Sequence, residues 1–211
     1  MPRPVDPERH RARRLHIIDA GLTVVARHGY AGATTAAICR EAGIGSGTFF
    51  HYFPTKESLV VAILGEGATE TQEFFDAQKD RTDPAAVVLD WVRRSLADLA
   101  DPRAPGFIGA VSGLVGSEAI AAALAEEDRI VQAGLTHWLD AAQHAGIVRT
   151  DVRPDRLARW VMLIVDGFAG QVGAQTGFDA AAEQPLLFET VESVLTGPVR
   201  PGHLTRSDRR L

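Results

Sequence analysis

A chain of 211 residues with one cysteine, Cys39, has no intrachain disulfide to staple it. Its stability must come from a buried core, and 45% hydrophobic residues over that length are enough to build one. No apolar run approaches the roughly 18 residues that would span a bilayer, and no secretory-type apolar stretch follows the arginine-crowded start. The expectation is an intracellular protein with no membrane partner. Two-residue alternation is missing as well, so no strand is predicted, and there is no internal repeat.

Several chemistries are also missing. The seven histidines and the lone cysteine fall at no zinc-like spacing, which leaves no metal site to assign. His137, Asp166 and a serine could be drawn into a triad, yet no nucleophile-elbow sequence is present. Gly43, Gly45 and Gly47 resemble a phosphate loop, but they follow a helix and not a strand, so a dinucleotide cofactor is not expected. No cofactor and no catalytic residue is predicted. Cys39 reads as a small buried apolar side chain.

What is present is concentrated between Thr34 and Leu59. Either Thr34 or Thr35 can cap a helix running to Ala42, Gly43 stops it, and Ser46 is the expected cap of a second helix reaching Tyr52. Two helices around a short glycine turn form a helix-turn-helix, whose second helix enters the major groove. At about 100° per residue, Phe49 and Phe53 share an inward face. Gly47, Thr48, Phe50 and His51 then point outward, with Tyr52 at the flank. Pro54 ends this helix and Thr55 caps the next. That puts Lys56 in a first turn where the macrodipole disfavours a cation and a DNA phosphate would be welcome. The predicted DNA-contact set is Thr35, Ser46, Gly47, Thr48, Phe50, His51, Tyr52 and Lys56.

Charge is divided in the same sense. Residues 1–60 hold eight Lys and Arg against five Asp and Glu, a balance of +3 in a chain of net charge −5, so the remainder carries −8. A basic head would meet phosphate and an acidic body would be repelled from it. Arg3, Arg9, Arg11, Arg13 and Arg14 give the start the character of a disordered basic arm. The apolar residues Leu15, Ile18, Leu22, Val25 and Ala26 predict a supporting helix from about Pro7 to His28, closed by Gly29.

Ala42, Gly43, Gly47, Thr48, Phe49, Phe50, Phe53, Pro54, Thr55, Lys56 and Glu57 together resemble the DNA-binding domain of the TetR family of bacterial repressors. Family members often carry Tyr at the place of Phe50 and Ser at the place of Gly45. The resemblance implies an all-α chain: a three-helix helix-turn-helix head, residues 1–55, and a helical effector-binding and dimerisation domain, residues 56–196. A disordered tail, residues 197–211, would follow. It further implies a ligand-responsive regulator in the bacterial cytoplasm, a homodimer released from a palindromic double-stranded DNA operator by a small apolar or amphipathic effector. A helical interaction module without DNA binding, and an enzyme, are the competing classes.

Along the body, helices are predicted from Lys56 to about Lys79, from Asp83-Pro84 to Leu99, over Phe107–Glu127, over Asp128–Ala145, from Pro154 to about 175, and from Pro185 to about 196. Gly109, Gly113 and Gly116 each weaken the third body stretch, Phe107–Glu127, and mark either close packing against a neighbour or a helix that moves. Trp91, Phe107, His137, Trp138 and Met162 are the predicted effector-lining residues, with His137 as the polar handle. The resemblance implies that the last two helices pair with their copies in a second subunit. Gly167, Phe168, Gly170, Ala174, Val191 and Leu195 are the predicted interface residues.

Overall fold

The computed structural model describes residues 6–114, 116–174 and 177–197. Nine α-helices and no strand occur among the described residues. None of these helices is long and apolar enough to cross a membrane. The expected tail lies outside the described residues apart from Gly197, as does Arg3.

Helix α1 (Pro7–Gly32) starts where Asp6 accepts the free N–H groups of Glu8 and Arg9, with proline in its first turn. Arg9, Arg11, Arg13 and Arg14 are therefore helical and not part of an arm. The regular helix breaks at Gly29, whose φ of 66° favours glycine. Thr34 then caps α2 (Thr35–Glu41) by accepting from Ala37 N at 3.2 Å. Gly43, at φ 61°, makes the turn. The cap of α3 (Ser46–Tyr52) is Gly45, without a side-chain bond, so Ser46 sits in the first turn instead of capping it. Helix α4 (Lys56–Ala77) opens with reciprocal bonds between Thr55 and Ser58, a capping box.

Helix α5 (Pro84–Leu99) begins beside Asp83, whose carboxylate pairs with Arg81 and does not cap the helix. The predicted division of the next segment is wrong in register. Helix α6 (Ala104–Ser112) ends at Gly113, and α7 (Glu118–His144) runs unbroken through Glu127 and Asp128. Its start is fixed by Ser117, which accepts from Ile120 N, and the charged run that resembled a boundary lies on the helix surface, where Arg129 pairs with Glu126. After α8 (Pro154–Ala174), α9 (Ala180–Thr196) starts five residues before Pro185. Asp179 accepts from Ala181 and Ala182 N at 3.1 Å, and the alanines that follow are strong helix formers; Pro185 forfeits one backbone bond inside the helix.

Two apolar cores share α4. The amino-terminal core gathers Ile17, Val25, Ile38, Cys39, Phe49, Phe53, Leu59 and Val60, and takes in Val111 of α6 and Ile120 of α7. The second core packs Phe75, Val88, Trp91, Leu135, Trp138, Leu157, Val161 and Val191. Helix α6 crosses α1 so closely that a Cβ on Gly106 would stand 2.0 Å from the Ala26 carbonyl oxygen. Gly109 meets α8 near the Gly173 carbonyl. The glycines in this stretch thus divide between close packing at Gly106 and Gly109 and the interhelix break at Gly113 and Gly116.

Gly106→Ala is expected to destabilise the fold by about 1–3 kcal/mol through overpacking. Gly65→Ala, in α4 with open space around it, is expected to stabilise by up to about 1 kcal/mol. Urea unfolding of the two variants checks both signs.

Candidate nucleic-acid interface and effector cleft

Helix α3 has one side in the core and the other in solvent. Phe49 is 0% exposed and Phe53 3%, whereas Phe50 on the opposite side is 53% exposed. Burying Phe49 contributes roughly 1.5–3 kcal/mol, which fixes the rotation of a helix only seven residues long. Ser46, Gly47, Thr48 and His51 are exposed, and Tyr52 and Thr35 half-buried. The outward face therefore offers three exposed side chains that donate or accept hydrogen bonds, Ser46, Thr48 and His51, on a helix narrow enough for a major groove.

Neighbours from α1 complete this surface, and sequence reasoning missed them. The His10 ring lies 4.6 Å from that of Tyr52 and 6.2 Å from that of His51. Arg13 shares an open concavity with Gly45, Gly47, Thr48 and His51. The arginine-rich start was the available signal, but only a helical start at Pro7 turns Arg13 toward α3. His16 Nε2 donates to the Ala42 carbonyl at 2.9 Å, tying α1 to the end of α2.

Lys56 finds a partner within the protein. Its ammonium donates to the Tyr30 carbonyl at 2.5 Å and lies 4.1 Å from the centre of the Tyr30 ring. The unfavourable end of the helix dipole is thus offset without DNA. Next to it, Glu57 accepts from the Ser117 hydroxyl at 2.6 Å. Burial, and secondarily the Glu57 carboxylate, raise the pKa of Tyr30. Ser117 caps α7, so the first turn of α4 is held at once by α1 and by the start of α7.

Behind the amino-terminal core lies a cleft of about 900 Å³ between α1, α4, the α5–α6 corner and α7. Leu15, Ile18, Leu22, Ile63, Leu64 and Phe107 supply its apolar wall. Its polar rim is mostly acidic. Arg103 holds Asp101 and Asp19, keeping the Asp101 carboxyl below its usual range through their hydrogen bonds. Burial raises the pKa of Glu127, with the charges of Asp128 and Asp98 adding to it. Asp98 stands at the exposed rim, yet enough protein crowds its carboxyl to raise it too.

Of the five predicted effector-lining residues, only Phe107 borders this cleft. Trp91 and Trp138 are buried in the second core and Met162 packs against it. His137 is exposed, its ring edge-on to Trp138. The predicted interface residues separate by face. Phe168, Val191 and Leu195 are buried within the protomer, and Gly167, Gly170 and Ala174 lie on the exposed side of α8. Trp160 and Leu163, 50% and 58% exposed, continue that stripe, and Leu186 of α9 is 59% exposed. These three were legible only as generic apolar positions.

Residues 17–63 match the family model described as bacterial regulatory proteins, tetR family. The chain is 36% identical over 74 residues to the transcriptional repressor KstR of Mycolicibacterium smegmatis, covering 35% of this chain and 34% of that one. With the transcriptional repressor AcnR of Corynebacterium diphtheriae it is 25% identical over 174 residues, 77% of this chain and 82% of the other. The match thus spans about a third of KstR and most of AcnR. In fold, the chain is similar to the transcriptional regulator FadR of Bacillus subtilis in complex with stearoyl-CoA, with a TM-score of 0.72, 18% identity, and coverage of 87% of this chain and 98% of that chain.

The raised pKa of Glu127 has a consequence for stability. A carboxyl held above its ordinary 4.5 costs folding free energy once the unfolded state ionises, so the penalty is absent below that value and grows as pH rises through the folded one. Glu127→Gln is expected to unfold at a higher temperature than the parent at pH 7, with the difference vanishing below about pH 4.5. A lower midpoint at pH 7 would show that Glu127 is held by favourable contacts.

Proposed function

We propose that this chain, a member of the TetR family of bacterial regulatory proteins, is a homodimeric repressor that grips a palindromic operator and releases it when a small molecule occupies the cleft. The observation that carries this reading is the rotation of α3, with Phe49 buried and Thr48 and His51 exposed. Thr48 and His51 read base edges. Thr35, Ser46, Gly47, Phe50, Tyr52 and Lys56 position the helix, with Lys56 offering phosphate a charge already steadied by Tyr30. It works in the bacterial cytoplasm, where operator DNA is.

One recognition helix reads few base pairs, so two heads on successive major grooves, about 34–36 Å apart or a multiple, are needed. The exposed stripe Trp160, Leu163, Gly167, Gly170 and Ala174 on α8, with Leu186 on α9, supports pairing of two copies through these helices. Residues 1–55 form the DNA-reading unit and 56–196 the effector and dimer unit, coupled by Val111 and Ile120, which the second sends into the core of the first. A molecule wedged between α1 and α4 favours a geometry in which the heads no longer match the groove spacing. Among fold relatives, the FadR of Bacillus subtilis holds stearoyl-CoA, which supports a ligand-bearing body.

Gel shifts on DNA upstream of the chain's own coding region, at controlled salt, test operator binding. Lys56→Ala is expected to reduce the slope of log affinity against log salt by about one, and an unchanged slope would leave Lys56 a purely internal clamp. Thr48→Ala or His51→Ala is expected to cost about 1–3 kcal/mol on the preferred site and to relax discrimination there. Leu163→Glu should give monomers by sedimentation and weaken operator binding more than about tenfold, since the second head then adds nothing. A dimeric Leu163→Glu variant would move the interface elsewhere.

A further inference from the structure

The cleft carries more acid than its neighbours neutralise. Its lining holds six carboxylates and a single base, Arg103. Arg103 serves Asp19 and Asp101, Arg14 reaches in to Glu66, and Arg94 to Glu70. The side-chain carboxylates of Glu127 and Asp98 are left without a hydrogen bond or ion pair among the described residues. The nearest cation acting on both is Arg94, which is already committed to the carbonyl and carboxylate of Glu70. Glu127 leans across Gly67 of α4, where a Cβ would stand 3.6 Å from its carboxylate oxygen, so no side chain covers it on that side. No buried side-chain oxygen among the described non-exposed residues lacks a partner, so the Glu127 carboxylate is reached by solvent, and Asp98 is exposed; both residues line the cleft.

We infer that the cleft takes an amphipathic organic cation, with its apolar body against Leu22, Ile63, Leu64 and Phe107 and its positive centre between Glu127 and Asp98. About 900 Å³ with a mostly apolar wall suits a drug-sized molecule. The two carboxylates repel each other until a positive centre arrives, and an anionic head group would add to that repulsion. The sign of the preference therefore differs from what an acyl-CoA would need. This inference rests on the reading of the cleft as the effector site.

Tetraphenylphosphonium and tetraphenylborate have nearly the same shape and opposite charge, and calorimetric titration of each into the full chain separates the two ideas. The cation is expected to bind at least about tenfold more tightly than the anion, a difference near 1.4 kcal/mol. Glu127→Gln with Asp98→Asn should erase that preference. Gly67→Leu, which places a side chain in the cleft, should block the cation, and its unfolding midpoint verifies that it remains folded. If Gly67→Leu blocks both ions but they bind equally, or the double variant keeps the preference, the cation assignment is overturned and the effector cleft survives. If Gly67→Leu changes binding of neither ion, or the cation does not bind at all, the cation assignment falls, and in the first of these cases the cleft reading falls with it.

Discussion

The approach of α6 to α1, backbone against backbone at Gly106 and Ala26, is the constraint from which the rest of the arrangement follows. A side chain at Gly106 would push the helices apart. With none there, α6 lies on α1, Val111 reaches the core that holds Phe49, and the α5–α6 corner comes near enough for Arg103 to bond Asp19 and Thr23 of α1. The cleft lies between α1 and α4, bordered by the α5–α6 corner that this crossing positions. A protein interior is close-packed and transmits small displacements, so a wedge on one side of α1 bears directly on the crossing and on the helices that share its core.

The connection between cleft and α3 is short. The amino-terminal core is built partly from α6 and α7, so no flexible joint separates the two units. At its edge, Tyr30 holds Lys56, Ser117 holds Glu57, and both acidic and basic residues belong to the first turn of α4. Three helices are thereby anchored at the point where α3 hands the chain to α4. Shifting α7 along its axis would pull Glu57, and with it the turn that carries Phe53 and fixes α3. Glu127, lining the cleft, sits on that same α7, less than three turns from Ser117. The cleft and the outward face of α3 are thus joined structurally through α7 as well as through the shared core.

Legibility in the sequence followed the range of the physics involved. The helix-turn-helix was readable because its determinants are local: Thr34 caps within three residues, Gly43 needs a positive φ, and Phe49 and Phe53 differ by one helical turn. The joint between α6 and α7 was misplaced because glycine runs and charged runs both resemble boundaries. Only the bond from Ile120 to Ser117 shows which one breaks the helix. Pro185 was taken for a start because a proline in the sixth position costs one bond, and the aspartate cap upstream outweighed it. The faces of Trp91, Phe168 and Val191 were not readable, since apolar residues look alike whether they fill a core, line a cleft or await a partner. The internal partner of Lys56 is not legible locally, because Tyr30 lies 26 positions away in sequence.

Acidity in the body has a cost that packing alone does not explain. Glu127, Asp98, Asp128 and Asp166 are all held above their ordinary pKa, each chiefly by desolvation, although all but Glu127 are exposed; Glu127 is the one for which the shift is a cost to the fold. The residues after position 60, of net charge −8, need no buried acid to stay away from phosphate, because surface acid would serve equally well. Strain of this kind collects where a group must be ready for a partner that arrives from outside. In the proposed reading, Glu127, held in a state that costs the fold, is the group through which a bound cation stabilises it. On the proposed reading, a cation that relieves the repulsion between Glu127 and Asp98 would select the conformation in which they are closest, and α7 and the α1–α6 crossing would carry that choice to α3.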